Sequence, residues 1–453
     1  MSETMDRIQI LLEHVRELLE RDDEAALREY VEGLHASDVA DLVEHLDESH
    51  RVRLLSLLPA EVASETLAEM EEVEKPAELL AQLPPARIAE IVEELADDDA
   101  ADLIGDLEPE DQARVLAAVP HPDAAEIEEL LHYPEDTAGG IMTQEMVAVS
   151  SGLTAGEAID EIRRNAREAG EFYTIFVVDP DRHLRGIVSL QDLVLATPSE
   201  PIASLLQAPP AVVPVDMDQE EVGRILSRYN LVSIGVVDPL NRLLGRVTFD
   251  DVIDVMEAET TEDILRFASV SDEEEVRGAP LDAVRSRLPW LLINLVTALA
   301  AASVVFVFRE TIERLVLLAV AMPIIAGMGG NAGTQALAVT IRRLALSNET
   351  VRARWRVVGK ELVVGLLNGL AIGFVAFLMG FLVPGGAPTF GLVVLLAMWG
   401  NLIIASFAGA FIPILLASVG IDPAVASSVF VTTLTDLCGF FFLLGLASAI
   451  LLH

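Results

Sequence analysis

The chain has 453 residues, room for about three structural units. It carries 72 acidic against 30 basic side chains, with only seven acidic and ten basic residues from Leu281 onward, so the first 280 residues hold a net charge of −45 and the rest +3. A surface of that sign argues against nucleic acid, whose phosphates are bound by lysine and arginine, and favours cations. The one cysteine, Cys438, lies in an apolar stretch and reads as a small buried hydrophobe; no disulfide framework or thiolate metal site is available.

At the start, Ile8, Leu11, Leu12, Val15, Leu18 and Leu19 alternate with charges at helical spacing, without a basic segment followed by an apolar run. The N-terminal half is therefore expected in the cytosol. Residues 1–134 predict an all-α domain of short amphipathic helices punctuated by Pro59, Pro76, Pro84, Pro85, Pro109 and Pro120. Apolar faces such as Leu54, Leu55, Leu57 and Leu58, or Ile88, Ile91, Val92 and Leu95, are too short to stand alone, so these helices must stack in pairs along a curve. The acidic surface is densest at Asp97, Asp98 and Asp99, with Asp102 and Asp106.

Between Ile141 and Glu262 the chain repeats itself. Phe176-Val177-Val178-Asp179-Pro180 and Leu184 to Asp192 recur as Gly235-Val236-Val237-Asp238-Pro239 and Leu243 to Asp251, an offset of 59 residues. Each copy reads as an amphipathic helix, an apolar strand, an Asp-Pro turn, a second strand and a helix. This α/β pattern resembles a tandem pair of CBS domains, over 135–200 and 201–262, a regulatory module whose ligand the motif does not specify. Ser189 and Asp192 fit a ribose-binding ending, but there is no glycine-rich phosphate loop and Gln191 offers no positive charge, so a nucleotide such as ATP is kept as a modulator only.

Residues 263–288 are charged, yet Ile264, Leu265, Phe267 and Ala268 predict a connecting helix rather than a loop. From 289 to 453 follow five candidate α-helical spans, each near the ~20 apolar residues a bilayer requires: Pro289–Phe308, Leu315–Ile341, Leu362–Val383, Phe390–Val419 and Ala424–Leu452. Arg285 and Arg287 precede the first span, and Arg342, Arg343, Arg352, Arg354, Arg356 and Lys360 lie between the second and third, which places these loops in the cytosol. With an odd number of spans the C-terminus then faces outward.

Asp436 is the one carboxylate well inside a span. Such a group faces a water-filled path or a polar partner on a neighbouring helix, and both roles are open to it. Glu361, at the start of the third span, is either an interfacial anchor or part of the path. The second span contains Pro323 and the run Gly327, Gly329, Gly330, Asn331, Gly333, Thr334, Gln335, which suits either irregular backbone beside water or polar helix packing. Gly365, Gly369 and Gly373 form a small-residue stripe that reads as packing.

Gly-Gly-Asn-x-Gly-x-Gln in the second span, Gly-Ile-Asp-Pro-Ala at Gly420 to Ala424 and Thr-x-x-Asp-x-x-Gly in the last span resemble the MgtE magnesium channel family. That family shares the order seen here: acidic helical domain, tandem CBS domains, connecting helix and five spans. The resemblance implies a homodimer in the inner membrane that carries Mg2+ into the cytoplasm and is closed by cytosolic Mg2+. It implies a pore site at Asp436, lined by Gly329, Gly330, Asn331, Gln335 and Thr435. The implied sensing residues are Asp98, Asp102, Asp218, Glu220, Asp251, Asp254, Glu259, Glu262, Asp263 and Asp422. Asn230 stands where the family can carry a sensing aspartate and Ser406 where its fourth span often has asparagine, which implies one weaker sensor site.

Two other classes compete. One is a nucleotide-sensing CBS regulator fused to a transporter of another divalent cation or solute. The other is an enzyme, for which the chain offers no nucleophile–base pair and no histidine–cysteine cluster, so no enzymatic activity is expected.

Overall fold

The computed structural model describes the chain apart from residues 1, 22, 32, 72–73, 166–171, 269, 271–279, 347–350, 380–386, 420, 422–426 and 453. It forms two compact units, Met1–Glu259 and Thr260–His453.

The first unit opens with helices α1 (Ser2–Glu20), α2 (Glu24–Val31), α3 (Ala36–Glu44), α4 (Glu48–Leu57) and α5 (Ala60–Ala68). They continue as α6 (Pro76–Ala81), α7 (Pro85–Val92), α8 (Asp97–Gly105), α9 (Pro109–Leu116) and α10 (His121–Leu130). Prolines open α6, α7 and α9, where a missing N–H costs nothing because the first turn has no partner for it. The helices stack two apart in sequence: α3, α5, α7 and α9 form one row, and α4, α6, α8 and α10 the other. Each short apolar face is thereby covered by a neighbour, and Leu54, Leu55, Ile88, Ile91 and Val92 are buried as the pattern requires.

The repeat follows as β1 (Ala148–Ser150), α11 (Ala155–Asn165), β2 (Thr174–Val178), β3 (Leu184–Ser189), α12 (Leu190–Leu195) and α13 (Ile202–Leu205). Its second copy is β4 (Val212–Pro214), α14 (Gln219–Tyr229), β5 (Ser233–Val237), β6 (Leu243–Thr248) and α15 (Phe249–Phe267). In each sheet the first strand runs parallel to the second and the second antiparallel to the third, with a register shift at the same place, Val177/Val178 and Val236/Val237. The hairpins bond reciprocally, Leu184 N to Asn241 O at 3.0 Å and Leu243 N to Arg182 O at 2.9 Å. Arg182 and Asn241 adopt positive φ of 63° and 62°, so the duplication extends to the backbone of the turns.

The expected connecting helix differs in extent. α15 begins inside the second repeat and runs unbroken to Phe267, because Asp250 and Asp251 suit a helix start and no proline or glycine interrupts the following residues. Of the rest of the expected connector, residues 269 and 271–279 lie outside the described residues, and 280–288 form the start of the next helix, which begins at Pro280 and runs on into the first span.

The second unit contains α16 (Pro280–Val307), α17 (Arg309–Arg314), α18 (Leu317–Leu346), α19 (Val351–Met379), α20 (Pro388–Ser418) and α21 (Ser427–Leu451). Five of these are long and apolar enough to cross a membrane. Helix α20 is the hub, packing on α18, α19 and α21, and its Val393, Ala397, Met398 and Leu402 are buried with Leu318, Ile325, Leu443 and Leu444. α19 starts earlier than hydropathy suggests and carries Arg354, Arg356 and Lys360 as helix rather than loop; arginine and lysine are good helix formers whose long stems let the charges reach the membrane surface. α18 is continuous through Pro323 and its glycines, so the irregular backbone left open there is not adopted.

Candidate functional site

Three aspartates open α8, which the unpaired N–H groups of a helix start favour. Asp97 anchors them: its carboxylate accepts the Thr143 hydroxyl and, at 2.9 Å, the Gln144 N–H, tying α8 to the segment before β1. Asp98, Asp99 and Asp102 then meet the charges of Asp250 and Asp251 at the start of α15. Thr248 holds that end in place, its N–H and hydroxyl both donating to the Asp251 carboxylate.

The electrostatics of this junction are dominated by negative charge, with Arg246 acting in the opposite sense on Glu145. Burial, then the charge of Asp251, pushes the Asp98 carboxyl well above the ordinary carboxylate range. Burial followed by Asp251 and Asp250 brings Asp99 to about 7, and burial followed by Asp99 and Asp106 brings Asp102, whose side chain reaches the surface, to about 7. Burial also raises Asp251, opposed by the Thr248 hydrogen bond, and raises Asp254, which additionally feels Glu69. Glu145, likewise buried and near Asp97, reaches about 7. Among the described residues the charges acting most strongly on Asp98, Asp99 and Asp102 are all negative. Asp98 is 7% exposed and its Oδ1 has no hydrogen-bond partner among the described residues. A buried carboxylate oxygen without a donor, surrounded by hard oxygen ligands, fits a hydrated dication that needs only one or two carboxylates directly.

Of the expected sensing residues the fold thus brings together Asp98, Asp102, Asp251 and Asp254. Others have different neighbours. Asp218 caps α14 by accepting the Glu221 N–H at 3.2 Å, and Glu220 pairs with Arg224 at 2.6 Å. Glu259 accepts the Gln219 side-chain amide at 2.8 Å. Glu262 pairs with Arg266, and Asp263 is exposed, both on the part of α15 that belongs to the second unit. Asp422 lies outside the described residues. Asn230 terminates α14 with φ 51°, a left-handed position that asparagine tolerates well. Asp97, Asp99, Asp250 and Glu145 join Asp98, Asp102, Asp251 and Asp254; the aspartate run and the Asp250-Asp251 pair are visible in the sequence, but their meeting is not.

Ser189 and Asp192 form a helix cap: the Ser189 hydroxyl donates to Asp192 at 2.6 Å, and Gln207 donates to the same oxygen at 2.8 Å. Asp179, Asp181 and His183 cluster at the first hairpin turn, where Asp179 accepts both backbone N–H groups and pairs with Arg185 at 2.7 Å, a turn-closing arrangement.

In the second unit Asp436 is half-buried on α21. Gly330, Asn331 and Gln335, with Gly327 and Thr334, share one face of α18; Asn331 and Gln335 are exposed, and nothing lies within 4 Å of where a side chain would start at Gly327 or Gly330. Gly329 and Thr435, expected on the same path, instead turn inward against each other and Asn401, because they lie on the helix faces that pack on α20. Glu361 is 5% exposed, with Lys360 Nζ 3.5 Å away. The glycine stripe of α19 does pack: a methyl at Gly365 would come within 2.8 Å of the Leu402 carbonyl, and Trp399 Nε1 donates to the Leu366 carbonyl at 3.1 Å.

These features define a multi-pass membrane protein with a duplicated α/β module and an acidic helical domain. A family profile described as a divalent cation transporter matches residues 322–446, one described as the MgtE intracellular N domain matches 34–136, and the CBS domain matches 138–198 and 202–258. The chain is 38% identical over 444 residues to the magnesium transporter MgtE of Thermus thermophilus, covering 96% of this chain and 98% of that protein. To the magnesium transporter MgtE of Enterococcus faecalis it is 39% identical over 422 residues, 93% of each. A crystal structure described as the cytosolic domain of the Mg2+ channel MgtE in complex with ATP matches with 40% identity and a TM-score of 0.51, covering 53% of this chain and 98% of that one. The chain belongs to the MgtE family of divalent cation transporters.

Proposed function

We propose that this protein carries Mg2+ into the cytoplasm as a homodimeric channel of the inner membrane, and that cytosolic Mg2+ closes it. The N-terminal unit is cytosolic and the C-terminus faces outward, as the arginine-rich segment between the second and third spans favours. The ion is the cargo, and Asp436 is the charge that selects it. Two copies of Asp436 across a dimer axis would hold a hydrated dication through its water shell, which Mg2+ gives up reluctantly.

The observation that carries the gating is the meeting of carboxylates from α8 and α15, where the charges acting most strongly on Asp98, Asp99 and Asp102 are all negative. Left alone, Asp98, Asp99 and Asp102 repel Asp250 and Asp251. A bridging dication converts that repulsion into attraction, and α15 is the helix that leaves the first unit toward the spans. Metal therefore biases a two-state element. The test is flux into proteoliposomes at graded Mg2+ on the cytosolic face. Asp98→Asn with Asp251→Asn should raise the closing concentration several-fold while leaving selectivity intact; an unchanged closing concentration would remove the sensor from this junction.

A nucleotide is the second reading. Asp192, Leu206 and Gln207 line a cavity of about 420 Å³, and a similar structure contains ATP. Ser189 and Gln207 both donate to one oxygen of the Asp192 carboxylate, and ATP acts here as a modulator rather than the gating ligand.

A further inference from the structure

Helices α18, α20 and α21 meet at one side chain, Asn401. It is fully buried, at 0% exposure, midway along α20. Its Nδ2 donates to the Ile325 carbonyl of α18 at 3.0 Å. Glycines flank it on both other helices. A methyl at Gly439 of α21 would lie 2.8 Å from Asn401 Nδ2, and one at Gly329 of α18 would overlap the same nitrogen. Asn401 Oδ1 is buried and accepts no hydrogen bond from the described residues. A leucine has the same branched skeleton of four side-chain heavy atoms and buries no unpaired oxygen, so the cost of the buried Oδ1 is not explained by fold stability alone. The carboxamide adds a directional bond. Between helices in an apolar medium, where burial supplies no drive to associate, close glycine packing and such bonds set the relative rotation.

That rotation decides where Asp436 points. Thr435 and Gly439 are four residues apart on α21, one above the other, and both face the junction; Asp436 follows Thr435 and lies about 100° further round the helix. On α18, Gly329 faces Asn401 while Gly330, Asn331 and Gln335 lie on the uncovered face. A turn of either helix by one residue would exchange the packed face for the polar one. We propose that Asn401 is a positioning residue for ion selection: by locking Gly329 and Gly439 around its carboxamide it holds the Asp436 carboxylate and the polar face of α18 toward the ion path. This rests on Asp436 being the selecting group.

The experiment measures Mg2+ flux and its ratio to Ca2+ and Na+ flux, with the full chain in proteoliposomes, for Asn401→Leu, Gly439→Ala and Asp436→Asn. Expected is a fall of about three- to tenfold in the Mg2+ ratio for Asn401→Leu and Gly439→Ala, the scale of one interhelical hydrogen bond, with assembled protein and total cation flux retained. If flux falls with the amount of assembled protein while the ratio stays constant, Asn401 is packing only and the assignment is overturned. The same holds if neither quantity moves. Should Asn401→Leu fail to assemble, Gly439→Ala carries the test, and failure of both assigns the junction to stability. A normal ratio in Asp436→Asn would overturn the pore reading itself, whereas an altered ratio there with a normal one in the junction variants would overturn only the role of Asn401.

Discussion

Replacing Asp99 by asparagine should stabilise the first unit when divalent cations are absent and the pH is above 7. Its carboxyl is raised from 3.8 to about 7, first by burial and then by Asp251 and Asp250. Three pH units at ~1.36 kcal/mol each set an upper bound of about 4 kcal/mol for keeping this group ionised. Partial exposure and salt screening bring a working figure to about 1–2 kcal/mol. For a unit of this size that is a shift of about 3–6 °C in Tm. The sign follows from the raised value. A carboxyl that titrates higher in the folded than in the unfolded chain costs nothing below about pH 4, costs progressively more from pH 4 to 7, and costs its full amount above. Metal-free wild type should therefore melt lower at pH 8 than at pH 5, Asp99→Asn should be flatter, and the difference between the two should narrow at pH 5 and vanish near pH 4. Millimolar Mg2+ at pH 8 should raise the wild type more than the variant. Scanning calorimetry of the full chain in detergent, with hydrogen exchange of residues 97–106 marking the transition of the first unit, reads all four conditions. Equal melting at pH 8 without metal, or a wild type more stable at pH 8 than at pH 5, would show that these charges are relieved in some other way, and the dication bridge would lose its basis.

Asp436→Asn keeps the side-chain shape and removes the charge, so Mg2+ flux should fall by about 10- to 100-fold and competition by other divalent ions should change; isotope flux in proteoliposomes measures both. Cysteines introduced near Met1 and near His453 in a Cys438→Ala background should differ in reaction with an impermeant reagent, the N-terminal one protected in intact cells and the C-terminal one labelled, and equal labelling would refute an odd number of spans.

Much of this architecture is legible in the sequence because it follows from local pattern. Prolines opening short helices, a 59-residue repeat and long apolar runs each state their own secondary structure, and the charge imbalance separates an acidic half from a membrane half. Asp436 is equally visible, since a carboxylate in an apolar run is conspicuous by composition alone. What pattern cannot supply is which residues meet across distance. Asp98 and Asp251 are far apart in the chain, and only the packing of α8 near the start of α15 makes one junction of them. Asp218 and Glu220 have local partners instead, a helix cap and Arg224. In the second unit, glycine signals close approach but not its partner. Tertiary structure alone turned Gly329 and Thr435 inward, left Gly330, Asn331 and Gln335 uncovered, and placed Asn401 among three helices. The physical reason is helical rotation: neighbours in sequence lie about 100° apart, so the path-facing and packed faces are distinguished only by what the adjacent helix presents.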